Sequence, residues 1–228
     1  MIELTGIEKH FKEKNRMVTA LSNVSLSLAE GEMVAIAGES GSGKSTLLNI
    51  LGGMLSADRG TYFYCGKQLN VCDLRKMEAF RREKTGIIVQ NFALIPFYTV
   101  YENIELPLRE RKVPKKERKE KVLRSLREIG LTGAENAYPD QLSGGEQQRV
   151  AICRAMIGKP ALLLADEPTG SLDEENEKNI LRHLRSLTET GTTVVIATHS
   201  KEVMACCDRT LWLRKGKMLG EKSENNEE

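Results

Sequence analysis

MVAIAGESGSGKSTLLNILGG, residues 33–53, carries three structural instructions in one run. The apolar stretch Met33 to Ala37 has the length and lack of alternation of a strand covered on both faces. Leu47, Leu48 and Leu51 recur at helical spacing and give the following segment one apolar face. Between them, glycines at 38, 41 and 43 let the backbone turn sharply with little side-chain cover. A doubly covered strand passing through such a turn into a helix needs parallel neighbours and helices to bury it, which points to an α/β fold.

Short β-branched or apolar runs recur at TYFYC (61–65), GIIV (86–89), ALLLA (161–165), TVVIA (193–197) and TLWL (210–213); several are apolar throughout, and together they predict a mostly parallel sheet. The segments around Ile2 to Leu4 and Thr19 to Leu28 alternate better, with Leu21, Val24, Leu26 and Leu28 on one face. They predict an antiparallel β subdomain at the N-terminus. Between Asn91 and Lys159 the strand signal disappears. Val122, Leu126 and Ile129 mark one face of a helix that opens near Pro114 and stops at Gly130. The expected organisation is one domain over 1–220: an α/β core with its β subdomain from 1–90 and 160–220, an inserted helical lobe from 91–159, and an acidic tail over 221–228.

The 34 basic and 32 acidic residues nearly cancel, so the overall balance gives no reason to expect a nucleic-acid partner. The most basic stretch, RERKVPKKERKEK (109–121), is interrupted by Glu110, Glu117 and Glu120 and has no interleaved aromatic residues for base stacking; it reads as a solvated helix face. The five cysteines lack metal-ligand spacing and fit free thiols in a reducing compartment. The charged N-terminus does not read as a secretion signal. With no uncharged apolar run near the roughly twenty residues that cross a bilayer, the chain by itself is expected to be soluble, and membrane work would need another polypeptide.

GESGSGKS matches the pattern of a phosphate-binding loop, and its place between strand and helix gives that pattern a mechanism. Unpaired N–H groups at the helix start, with about half a unit of positive helix charge, face an anion held by residues Gly38, Glu39, Ser40, Gly41, Ser42, Gly43, Lys44, Ser45 and Thr46. Lys44 is expected on the β- and γ-phosphates, and the Ser45 hydroxyl on Mg²⁺. ALLLADE places Asp166 and Glu167 at a strand's carboxyl end. Asp166 is suited to the metal's hydration shell, and Glu167 to orienting or deprotonating an attacking water. Gln90 and His199 each follow an apolar strand and project toward the same crevice. Gln90 is a candidate for metal and water, His199 for the γ-phosphate.

LSGGEQQR (142–149) is a second glycine motif, in the helical region. Ser143 is a good N-cap, and Glu146 completes a capping box worth on the order of 1 kcal/mol. Gly144 and Gly145 leave the first turn uncovered. This is either a well-capped helix start and nothing more, or a second anion site, gripping the same triphosphate or one held by a neighbouring molecule.

Taken together and in order, GESGSGKS, Gln90, LSGGEQQR, ALLLADE, SLD (171–173) and His199 resemble the ATP-binding subunit of ABC transporters over nearly the whole chain. The resemblance implies a P-loop ATPase core that binds ATP with Mg²⁺ and pairs head to tail with a second ATPase subunit, as a homodimer. In that arrangement LSGGEQQR closes over the partner's ATP, with Ser143 and Gly145 nearest the γ-phosphate. It also implies that Asp173 joins communication between the two sites and that Phe11 stacks on adenine, where the family more often has Tyr.

NFALIPFYTVYENIELPL (91–108), ADEPTGSLD and ATHS are similar to a narrower group: macrolide exporters, lipoprotein-releasing ATPases, bacitracin-type peptide exporters and cell-division ATPases of the same build. That likeness implies an integral membrane permease as partner, a cytoplasmic position at the membrane's inner face, and export, extraction or mechanotransmission acting on amphipathic substrates. An ABC-type ATPase working on nucleic acid or ribosomes is the alternative. Phe92, Leu94, Ile95 and Phe97 are either a docking surface for the permease or core of the helical lobe.

Overall fold

A computed structural model describes residues 2–14, 16–89, 92–170 and 174–221. Strands β1 (Ile2–Glu13) and β2 (Arg16–Leu28) form a long antiparallel hairpin whose alternation buries Ile2, Leu4, Ile7, Leu21, Val24 and Leu28. It continues through β4 (Arg59–Tyr64) and β5 (Lys67–Leu69) into a four-stranded sheet of order β2-β1-β4-β5. The run 61–65 thus belongs to this antiparallel sheet and not to the parallel one. Only one side of it is fully covered: Tyr62 is buried and donates its phenol to the Leu51 carbonyl at 3.0 Å, while Thr61 and Phe63 are half-buried.

The second sheet has six strands in the order β10 (Lys217–Glu221), β9 (Arg209–Arg214), β3 (Met33–Ala37), β8 (Thr193–Thr198), β7 (Leu162–Asp166) and β6 (Thr85–Ile88). All neighbours are parallel except β10 against β9. Helix α1 (Lys44–Leu51) lies between the two sheets, burying Leu47, Leu48, Ile50 and Leu51 against Val34, Ile36, Leu164 and Val195 on one side and the β1–β2 hairpin on the other. Each such buried side chain contributes about 2 kcal/mol relative to exposure. The polar helix α2 (Leu74–Lys84) is tied to this layer by Met77 and Phe80.

The opposite face of the sheet is covered by α6 (Glu174–Thr188) through Ile180, Leu181 and Leu184, by α7 (Lys201–Ala205) through Val203, and by Ile152 and Ala155 of α5 (Gly144–Met156). A third core joins α3 (Val100–Glu110), α4 (Lys115–Glu128) and the other side of α5, from which Val150 and Cys153 enter it. Helix α5 therefore belongs to two cores at once. Leu94 packs against the third core, whereas Phe97 is 78% exposed, so the segment after Gln90 is divided between packing and surface.

The basic stretch is less solvated than its sequence suggests. Arg118 donates to Glu105 at 2.8 Å, with both side chains mostly buried, and to the Val113 carbonyl at 2.7 Å. Arg111 reaches the carbonyls of Arg82 and Gly158. Arg109, Lys112, Lys115, Lys116 and Lys119 remain on the surface, interspersed with the exposed Glu110, Glu117 and Glu120.

Two outcomes follow from these contacts. Removing one partner of a largely buried ion pair strands the other, so Arg118→Ala is expected to cost about 3 kcal/mol in urea unfolding, whereas the exposed Lys116→Ala stays within about 0.5 kcal/mol. Asp208 accepts from the Met33 N–H at 2.8 Å and from Arg185 at 2.7 Å. Burial pushes its carboxyl up, but those two donors outweigh it and hold the group below the usual aspartate value. The unfolded chain then takes up the proton first, so this contribution is complete above about pH 4 and lost as pH falls through the lower folded value. Asp208→Asn should flatten the acid limb of a plot of urea midpoint against pH.

Candidate active site

The parallel sheet sets the site by register. Ala37 lies beside Thr198, and Asp166 beside Ala197. The next residues along, Gly38, His199 and Glu167, therefore leave the carboxyl edge of the sheet side by side. Ile88 pairs with Ala165 and brings Val89 level with Asp166. Gln90, which follows, lies outside the described residues, as does Asp173.

The loop from Gly38 to Gly43 is held close against its surroundings. Gly38 and Gly43 have φ of 156° and 108°. A Cβ on Gly43 would sit 2.6 Å from the Ala20 carbonyl, and one on Gly38 would run into the Leu213 carbonyl. Gly41, at φ 74°, faces open space. Lys44 curls back over the loop, donating to the carbonyls of Gly38 at 2.7 Å and Glu39 at 3.1 Å. Helix α1 starts from Gly43 with no side-chain cap and no acid in its first turn, so its leading N–H groups are left for an external acceptor. Among the described residues, the buried Ser42 hydroxyl has no hydrogen-bond partner. Bare amides, an ammonium group and an unmet hydroxyl converge here, and the chemistry that satisfies all three is an anion. Glu39, Ser40 and Ser45 are exposed at its mouth and Thr46 is half-buried.

Glu167 sits at φ 46°, a left-handed conformation that costs a non-glycine residue about 1–3 kcal/mol. Its N–H is held by the Ala197 carbonyl at 2.9 Å. Thr198 donates its hydroxyl to one carboxylate oxygen at 3.1 Å, and His199 Nδ1 lies 2.6 Å from the other. A carboxylate only accepts, so the proton of that second bond belongs to Nδ1 and leaves Nε2 on the exposed side of the ring. Thr198 is fixed in turn by accepting from the Ser200 N–H at 3.0 Å. Asp166, at the last position of β7, is half-buried.

At the start of α5 the expected capping box is formed. Glu146 Oε2 accepts from the Ser143 hydroxyl at 2.7 Å and from the Ser143 N–H at 2.9 Å, and these bonds hold the Glu146 carboxyl below its usual range. Ser143 and Gly144 are exposed, with open space around the Gly144 Cα; Gly145 and Glu146 are half-buried. Phe11 pairs across the hairpin with Val18, and each is 37% exposed. The Lys9 ammonium lies 5.6 Å from the Phe11 ring centre. Ala20, whose carbonyl abuts Gly43, is two residues beyond Val18, so the phenyl ring stands on the hairpin that backs the loop.

Three contacts at the site were not evident from sequence. Thr198 grips Glu167, Gln148 donates to the Pro168 carbonyl, and Arg154 donates to the carbonyls of Phe92 and Ala93. Two of the three end on backbone oxygens, which no residue pattern announces. Gln148 at least lies inside the quoted motif.

Among the described residues no helix is long and apolar enough to cross a membrane. The family model described as ABC transporter matches residues 21–170. The ABC transporter ATP-binding protein YtrE of Bacillus subtilis is 42% identical over 225 residues, covering 96% of this chain and 97% of YtrE. The macrolide export ATP-binding/permease protein MacB of Shigella flexneri is 39% identical; the match takes in 96% of this chain and 34% of MacB. A dimeric post-hydrolysis structure of the ATP-binding cassette MJ0796, bound to ADP and Pi, superposes over the full length of both chains with a TM-score of 0.92 and 38% identity. The chain therefore belongs to the ABC transporter family, as an ATP-binding subunit with ATPase chemistry.

Proposed function

We propose that this chain hydrolyses ATP as one half of a head-to-tail dimer and drives an integral membrane permease in export, extraction or mechanotransmission of amphipathic substrates such as peptides, antibiotics or lipoproteins. The observation that carries the reading is the placing of Glu167, held by Thr198 and His199 on the strand edge that also presents the loop at Gly38 to Gly43. The relatives support the remainder: a cassette solved as a dimer, and a macrolide exporter in which the homologous segment is joined to a permease.

In this reading residues 1–220 work as one ATPase unit, with 91–159 as its lobe. The loop amides, Lys44 and the Ser42 hydroxyl hold the phosphates, and Phe11 stacks on adenine. Glu167 takes the proton of the attacking water, while His199, anchored through Nδ1, sets the exposed side of its ring beside the γ-phosphate. Ser45 and Asp166, with Gln90, supply the hard oxygen donors that suit Mg²⁺, which when bound offsets the charge of the phosphates. The Ser143 hydroxyl and the open first turn of α5, including Gly145, close over ATP held by the second copy, and Asp173 lies at the contact between the two.

The permease has a natural seat. A groove of about 400 Å³ runs between α2, α3 and the end of α5, lined by Arg82, Leu106, Glu110, Arg111 and Arg154. Arg154 in that groove also holds the carbonyls of Phe92 and Ala93, two residues with left-handed backbone that follow closely on Gln90. A cytoplasmic helix of the permease docked there is in contact with the segment that senses the nucleotide, and holds the ATPase at the inner face of the membrane. The comparisons give a nucleic-acid role no support, since the relatives they name are transport ATP-binding proteins.

Glu167→Gln should retain ATP binding but lower phosphate release by about 10² to 10⁴-fold, and at saturating ATP and Mg²⁺ should elute as a dimer in size exclusion; a monomer there counts against the reading. Phe11→Ala should weaken ATP binding by about 1–3 kcal/mol in calorimetry while Phe11→Tyr leaves it unchanged.

A further inference from the structure

The two ends of α5 have different surroundings. Its N-terminal turn is open, but five residues beyond Ser143, about 7.5 Å along the axis, Gln148 is 1% exposed. Its Nε2 donates to the Pro168 carbonyl at 2.6 Å. Proline has no N–H, so this carbonyl is its only main-chain hydrogen-bonding group, and Pro168 is the residue bonded to Glu167. The main chain of Glu167 is thus held on one side by the Ala197 carbonyl and on the other, through Pro168, by the side chain of Gln148. The segment beyond is fastened as well: Thr169 donates to Glu177 at 2.8 Å, and Arg149 reaches Asn176 at 3.4 Å. Burial on two sides makes α5 a stiff rod, and the left-handed turn at Glu167 is a conformation that persists only when its neighbours enforce it.

We propose that Gln148 is a positioning residue that ties the catalytic carboxylate of a subunit to the α5 tip of that same subunit. The inference rests on the head-to-tail dimer. In that dimer the α5 tip touches the ATP held by the partner, whereas Glu167 serves the ATP held by its own loop. A tip seated on the partner's nucleotide fixes α5, and the Gln148 amide passes that placement to Pro168 and Glu167. Each site then becomes competent when the other is filled, so hydrolysis is cooperative in ATP.

The test separates a subunit's own site from its partner's. Trace amounts of hydrolysis-competent copies are mixed with a large excess of Glu167→Gln copies at saturating ATP and Mg²⁺, so that nearly every working site sits in a mixed dimer. Gln148→Met, which keeps the length of the side chain and removes its donor, is placed either in the trace copies or in the excess copies. The tether predicts about a tenfold slower phosphate release in the first arm and an unchanged rate in the second. In the Gln148→Met homodimer the Hill coefficient for ATP should drop toward one while Gln148→Met/Glu167→Gln copies still elute as dimers. Equal loss in both arms, or loss only in the second, would mean that Gln148 merely shapes the α5 tip and overturns the tether; unchanged rates in both arms overturn it as well. Failure of Glu167→Gln copies to pair at all overturns the dimer and the tether with it.

Discussion

The register of the parallel sheet is the constraint on which the site depends. Because β3, β8 and β7 run the same way with Ala37, Thr198 and Asp166 at their ends, a glycine loop, a histidine and a carboxylate from three distant stretches of sequence emerge within one crevice. A slip of one residue in any of these pairings would turn the buried side chains to the wrong face and move a catalytic group by a strand step. The apolar contacts that prevent the slip, Val34, Ile36, Leu164 and Val195 on one face and Leu163, Val194 and Ile196 on the other, contribute to chemistry they never touch.

Helix α5 performs a second kind of integration. Val150 and Cys153 bury it in the lobe, Ile152 and Ala155 bury it on the sheet, Gln148 meets the loop after Glu167, and Arg154 meets the segment after Gln90. A helix with four faces engaged cannot rotate independently of its neighbours. What is sensed at its tip, at the crevice and at the groove is therefore expressed in the placement of one rigid element, and the lobe is coupled to the core by packing as well as by chain connectivity.

Much of this was legible in the residues. The glycine loop, the acids ending β7, the helix after Pro114 and the capping box of α5 each carry a local signal, because strand burial, helical spacing and cap chemistry are short-range effects. The sequence was weaker where tertiary cover decided the outcome. TYFYC reads as a strand of the parallel sheet because it is rich in aromatic residues, yet it pairs antiparallel and only the Tyr62 side is fully sealed. The polar strands β5 and β10 and helix α2 have too few apolar residues to announce themselves. Arg111 and Arg118 looked solvated because their acceptors, the Gly158 carbonyl and Glu105, lie 47 and 13 residues away. Within the site, Thr198 carries no signal of its own, because a threonine ending a strand is ordinary until the carboxylate beside it is placed.

The sheet ends at β6, a strand of four residues of which Thr85, Gly86 and Ile88 are buried. Gly86 lies so close to the Ala155 carbonyl of α5 that a side chain there has no room. A side chain at position 86 would lift α5 from the face of the sheet, so the bareness of one residue on the border strand sets how closely that helix can sit. The same bareness lets the rod that carries the Ser143 tip and Arg154 lie flush on the core, so a displacement felt at one end is delivered to the sheet without slack.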